Sequence, residues 1–192
     1  MKKKKTIEIK KEDVVKSYEE ARKAGENGYM RFLENLFGKD LFMPKDITER
    51  VKTFEDACNE LGENHPLVKD WQYWQGGSSD LRAYLKLRII CAALNEGWEP
   101  QFTENEWRWY PWLCQYTQEE LDETSGEEKQ ERCIIDVSGR NAGYYAGFGF
   151  AYSDYAPSTA SAYFGSRLCL KSGTLAEYCG RQFIEIWADF VL

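Results

Sequence analysis

Between Lys11 and Ala24 the apolar residues Val14, Val15, Tyr18 and Ala21 recur at three- and four-residue spacing among charged neighbours, and Gly25 closes the run. That spacing predicts an amphipathic helix. Residues 26–46 read as irregular, with an apolar patch at Tyr29-Met30-Arg31-Phe32-Leu33 and a breaker at Pro44. From Asp46 onward Ile47, Val51, Phe54, Cys58 and Leu61 line one face, and Gly62 supplies the positive φ that helix ends favour, so a helix is expected over 47–61. Ser79 or Asp80 can cap the next helix, which runs through Leu81, Leu85, Leu87, Ile89, Ile90, Cys91 and Ala93 to Asn95 and stops at Gly97. Its apolarity on all sides after Leu87 marks it as the central buried helix.

Past Gly97 the pattern changes. Trp98, Pro100, Phe102, Trp107, Trp109, Tyr110, Pro111, Trp112 and Tyr116 crowd into one segment whose two prolines exclude a long helix, and Trp107, Trp109 and Pro111 alternate as in an extended chain. Residues 117–132 are polar: Gln118–Leu121 reads as a helical turn, Ser125–Glu128 as a loop, and the carboxylates between them as a solvated insertion. Three β-like runs follow, Cys133–Val137, Gly143–Tyr152 and Ala162–Leu170. A closing helix starts at Ser172 or Thr174, with Thr174 and Glu177 in capping-box spacing, and buries Leu175, Cys179, Phe183, Ile186, Trp187 and Phe190.

Three striped helices and closely spaced strands predict an α+β fold, in which a helical N-terminal half and a C-terminal helix pack on a small antiparallel β region. The expected organisation is a basic flexible tail (1–10), a helical part (11–97) and an aromatic-rich β region with its closing helix (98–192), making one compact unit.

Composition narrows the function. A net charge of −7 over 192 residues argues against coating nucleic acid, and Lys2–Lys5 read as a solvated tail. The basic start lacks the apolar segment of a signal peptide, and no stretch reaches the roughly 20 apolar residues of a membrane span. The expected setting is a virion or the host cytoplasm. One histidine, His65 in a loop, removes most histidine-based catalysis and zinc chemistry. Six widely spaced cysteines without a CxxC motif read as reduced thiols, with Cys58, Cys91 and Cys179 on inward helix faces. No catalytic residue, metal site or cofactor is expected.

Aromatic residues make up 15% of the chain, an excess that suggests either a β-rich core or a recognition surface. Residues 132–170 contain no Lys, Glu, Gln, Met or Trp, although Lys and Glu abound elsewhere. The centre of that gap, 141–165, is drawn from Tyr, Ser, Gly, Ala, Asn, Asp, Phe, Thr and Pro, a palette shared with paratopes. Candidate ligand-binding residues are therefore Tyr144, Tyr145, Tyr152, Ser153, Asp154, Tyr155, Ser158 and Tyr163.

Tyr110-Pro111-Trp112, the run Gly165–Ser172 and the run Leu175–Phe183 resemble a family of phage and prophage proteins of gut Bacteroidetes. The resemblance spans roughly residues 46–192 and brings no assigned enzymatic activity. A weaker similarity, in the glycine-rich strands and Gly165-Ser166-Arg167-Leu168, is to C-type-lectin-like folds. Phage variable proteins of that kind are diversified at codons ending in pyrimidine, which cannot encode Lys, Glu, Gln, Met or Trp. Arg167, beside Leu168 in an expected strand, reads as architectural and in need of a buried acceptor.

The leading expectation is a non-enzymatic, phage-associated structural or binding protein. Its partners would be a protein or glycan ligand or other virion proteins, with no nucleic acid and no membrane span, and a homo-oligomer is compatible with it. The alternative is a carbohydrate-binding or carbohydrate-active protein using 98–116, with Glu104 or Glu106 as an acid. Against that stands a packing role for Trp107, Trp109 and Trp112, cementing helices to sheet. A nucleic-acid accessory role through the lysine tail is the weakest of the three.

Overall fold

The computed structural model describes residues 8–44, 46–74, 76–101, 103, 105–140, 142–157 and 166–192. The chain forms two compact units, Met1–Lys45 and Asp46–Leu192, rather than one divided near residue 97.

In the first unit α1 (Lys11–Ala24) has the predicted bounds. Gly25, at φ 73°, ends it in the left-handed conformation, and the Glu26 N–H donates back to the Ala21 carbonyl. The segment expected to be irregular instead holds α2 (Asn27–Phe37) and a 3₁₀ turn (Lys39–Leu41). The apolar patch at 29–33 is the start of a helical stripe that continues through Leu36 and Phe37. The Tyr18 hydroxyl donates to Glu34 at 2.6 Å, and its ring stacks on Phe42 at 4.2 Å between centroids.

The second unit is built around α6 (Ser79–Leu94), which follows α3 (Ile47–Arg50), α4 (Phe54–Leu61) and α5 (Pro66–Tyr73). Leu87, Ile89, Ile90, Cys91, Ala93 and Leu94 are buried, as expected of a central helix. The stripe over 47–61 belongs to two helices, because Thr53 and Asp56 form a capping box that starts α4 afresh. His65 lies at a helix start: its Nδ1 accepts the Leu67 N–H, and Pro66 fills the first turn of α5, where a missing N–H costs nothing.

After α6 come β1 (Trp107–Tyr116), α7 (Gln118–Glu123), α8 (Gly126–Glu131), β2 (Ile135–Asp136) and β3 (Gly147–Pro157). The stretch expected to be a loop is α8, capped by Ser125. The strands form one antiparallel sheet ordered β1-β3-β2. Of the strand expected over 162–170, residues 162–165 lie outside the described residues, and the rest forms a 3₁₀ turn (Ser166–Leu168) and a single bridge between Leu170 and Trp109. The closing helix is two, α9 (Gly173–Gln182) and α10 (Ile184–Val191), joined at Phe183, and its cap is Ser172 and not Thr174. The α+β class is borne out; the lectin-like subdivision of it is not.

Polar side chains seal the joints. Asn95, buried at the end of α6, donates to the Cys169 carbonyl at 2.9 Å and accepts the Lys171 N–H at 3.0 Å. The Tyr178 hydroxyl reaches the Thr48 and Val51 carbonyls, binding α9 to the turn between α3 and α4. Glu96 lies between Arg50 and Lys171, which hold its carboxyl below the ordinary glutamate range, the lysine most strongly. Arg167 departs from expectation: it is exposed on the 3₁₀ turn and makes no hydrogen bond or ion pair among the described residues. The six cysteines are free thiols, with Cys91, Cys169 and Cys179 buried and Cys58 half-buried. No described helix is long and apolar enough to cross a membrane.

Candidate aromatic binding surface

The ladder between β1 and β3 runs from Trp107↔Pro157 to Tyr116↔Gly147, broken by a β-bulge between Trp112 and Leu113. Before the bulge, strand alternation puts Trp107, Trp109 and Pro111 on one face with Tyr155 and Ser153, and Tyr110 and Trp112 on the other with Asp154 and Tyr152. The bulge resets this phase, so Phe150 returns to the face of Pro111. Both lie against α9 at Gly180, where a Cβ would stand 2.6 Å from Phe150 and 2.7 Å from Pro111. Only glycine lets α9 sit this close to the sheet.

The Tyr155 ring meets Trp107 edge-on at 4.5 Å and Trp109 at 5.1 Å, while Tyr152 stacks on Trp112 at 5.6 Å with only 12° between planes. Such cross-strand aromatic pairs stabilise a ladder while leaving ring area free. Trp107, Tyr152 and Tyr155 remain 51%, 52% and 49% exposed. Trp109 has the packing role expected of the tryptophans, its ring pressed on Gly173 of α9.

The predicted residues therefore separate. Tyr152 and Tyr155 are exposed and paired, but on opposite faces of the ladder. Ser153 is half-buried toward α9, where a Cβ on Gly173 would be 3.4 Å from its hydroxyl. Asp154 accepts the N–H of Tyr155 at 2.8 Å. Tyr144 and Tyr145 are exposed in the turn before β3, in edge contact with each other at 6.0 Å. That turn is held by the Ala146 N–H donating to Tyr116, at the ladder end remote from Tyr155. At about 3.3 Å per residue, the run from Gly147 to Tyr155 is roughly 26 Å long, so the eight candidates do not form one patch. Ser158 and Tyr163 lie outside the described residues. Of the two acids proposed for sugar chemistry, Glu106 accepts the Gln101 N–H at 2.6 Å and Glu104 lies outside the described residues.

Sequence reading set the tryptophans of 107–112 and the tyrosines of 152–155 in rival hypotheses, whereas register makes them neighbours. Trp107 is the exposed residue it undervalued. Burial pushes the Tyr110 phenol, between the two aromatic groups, up to about 12. Its hydroxyl has no hydrogen-bond partner among the described residues. No group of His, Cys, Asp and Glu suited to a metal ion occurs among the described residues. Compared with known proteins, the chain matches no family model, no curated protein and no solved structure.

Proposed function

We propose that the protein is a non-enzymatic, phage-associated binding module that offers the aromatic rings of its β1–β3 ladder to a protein or glycan. The observation that carries this reading is the cross-strand pairing of half-exposed Trp107 with Tyr155 and of Trp112 with Tyr152. Rings used only as cement would be covered, as Trp187 and Phe148 are. Rings locked by a neighbour yet open to solvent lose little entropy on binding, which is why such residues dominate interfaces. The phage association rests on the resemblance of residues 46–192, the span of the second compact unit.

A glycan is favoured at one of the two patches. The near-parallel Trp112–Tyr152 pair presents a flat apolar platform of the kind a sugar ring stacks on, whereas the edge-on Trp107–Tyr155 corner suits an irregular protein surface.

The test uses the full chain and a Tyr152→Ser/Tyr155→Ser variant, applied to a glycan array and a displayed peptide library. Ligands recovered by the parent should bind the variant at least tenfold more weakly, since an anchoring ring commonly contributes about 2 kcal/mol. Ligands bound equally by both, or none recovered by the parent, would refute the reading.

A further inference from the structure

A second region, separate from the aromatic ladder, has the makings of a small-molecule site. The cleft of about 410 Å³ beside the end of α6 is lined by residues of α5, α6, the segment after it and the 3₁₀ turn. Arg88, Ala92 and Asn95 are spaced i, i+4, i+7 and form one stripe of α6 along its wall. The helix ends in two left-handed residues, Glu96 (φ 49°) and Gly97 (φ 82°), and the Trp98 N–H donates back to Asn95. This turn carries Trp98, Glu99 and Pro100 to the cleft, while Arg167 enters from the 3₁₀ turn. The base is fixed, because both ends of the Asn95 amide are engaged by the backbone of Cys169 and Lys171.

The charges point to a ligand. Arg50, Arg132, Arg140 and Arg181 are each paired with a carboxylate. Arg88 and Arg167, like Arg31 and Arg82, make no side-chain hydrogen bond or ion pair among the described residues, and the Arg88 guanidinium lies 6.0 Å from the Tyr84 ring centroid. In a chain with a net charge of −7, carboxylates are plentiful, yet these two arginines line the same cleft as Glu99 and are not ion-paired to it. Two arginines from different elements, with planar donor forks, suit a tetrahedral dianion. Trp98 and Pro100 supply the flat apolar wall that a planar ring needs, and the volume lies in the range of sites for small ligands. Glu99 opposes further negative charge and can accept from a ring amine or a sugar hydroxyl.

We propose that this cleft binds a mononucleotide, with the phosphate between Arg88 and Arg167 and the base against Trp98. Calorimetric titration of the full chain with adenosine monophosphate, adenosine and inorganic phosphate tests it. Adenosine monophosphate should bind more tightly than either fragment, and about tenfold more weakly to Arg167→Ala and to Trp98→Ala. Arg167 is exposed, so its variant should melt with the parent and decides the matter even if Arg88→Gln misfolds. No binding at millimolar nucleotide, equal affinity for phosphate alone, or unchanged affinity in Arg167→Ala would each overturn the proposal.

Discussion

The two halves of β3 both fall in the Lys- and Glu-free segment 132–170 and meet opposite fates. In Gly147-Phe148-Gly149-Phe150 the aromatic rings are buried, and the glycines admit neighbours: Leu121 would stand 2.7 Å from a Cβ at Gly147, and Ile134 2.7 Å from one at Gly149. In Tyr152-Ser153-Asp154-Tyr155 both rings are about half exposed and rest on tryptophans of β1. Composition leans the same way, with Phe and Gly in the first half against Tyr, Ser and Asp in the second. The elements opposite differ as well: α7, α9 and the segment before β2 cover the first, while the second pairs with β1 and meets α9 through Ser153 beside Gly173. A palette of Tyr, Gly, Ser and Ala thus marks a segment that either packing or recognition can use, and its neighbours decide which.

The largest effect should come from Phe150→Ala, which opens a cavity between β3 and α9. Denaturant unfolding should lose about 3–5 kcal/mol. A loss under about 1 kcal/mol would mean that the first half is not core. Next comes Gly180→Ala, whose methyl group would collide with Phe150 and Pro111, at a cost of about 1–3 kcal/mol by the same measurement. In the second half, Tyr152→Ser with Tyr155→Ser should cost less than about 1 kcal/mol, the scale of a cross-strand pair. A loss as large as that of Phe150→Ala would erase the contrast between the halves.

Tyr110 gives the smallest and most specific effect. Burial holds its phenol neutral up to about 12, above an ordinary value near 10. Since the folded state keeps the proton longer than the unfolded one, this contribution is fully present below about pH 10 and is lost as pH rises toward 12. Thermal melts should show that extra alkaline loss in the parent and not in Tyr110→Phe. At neutral pH the variant should match or slightly exceed the parent, because it removes a buried hydroxyl with no partner among the described residues.

Much of the helical framework was legible. α1 and α6 were readable because each carries an unbroken apolar stripe followed by a glycine, Gly25 or Gly97, although neither start is capped by a side chain and α6 begins at Ser79 itself. The interruptions at Thr53 and Phe183 were not, since the apolar period passes straight through them and only the backbone conformation shows the break. α5 was not read because His65 was placed in a loop, whereas its side chain caps the helix that Pro66 opens. The candidate site was half legible. Tyr152 and Tyr155 were named from composition, but their pairing with Trp112 and Trp107 depends on register between segments about 40 residues apart, which no local pattern encodes. The Arg88–Arg167 cleft left no signal at all, because two arginines distant in sequence announce nothing until the chain brings them together.

The bulge opposite Trp112 also sets what kinds of change this strand can absorb. Without it, Phe148, Phe150 and Tyr152 would follow strict alternation and lie on one side, so Tyr152 would turn toward α9 or the phenylalanines toward solvent. The one additional residue, Ala151, acts as a spacer that uncouples the two halves. Exchange of side chains beyond it leaves the packed half in place, whereas gain or loss of one residue there transposes inside and outside. Such a strand is permissive of substitution and intolerant of insertion or deletion.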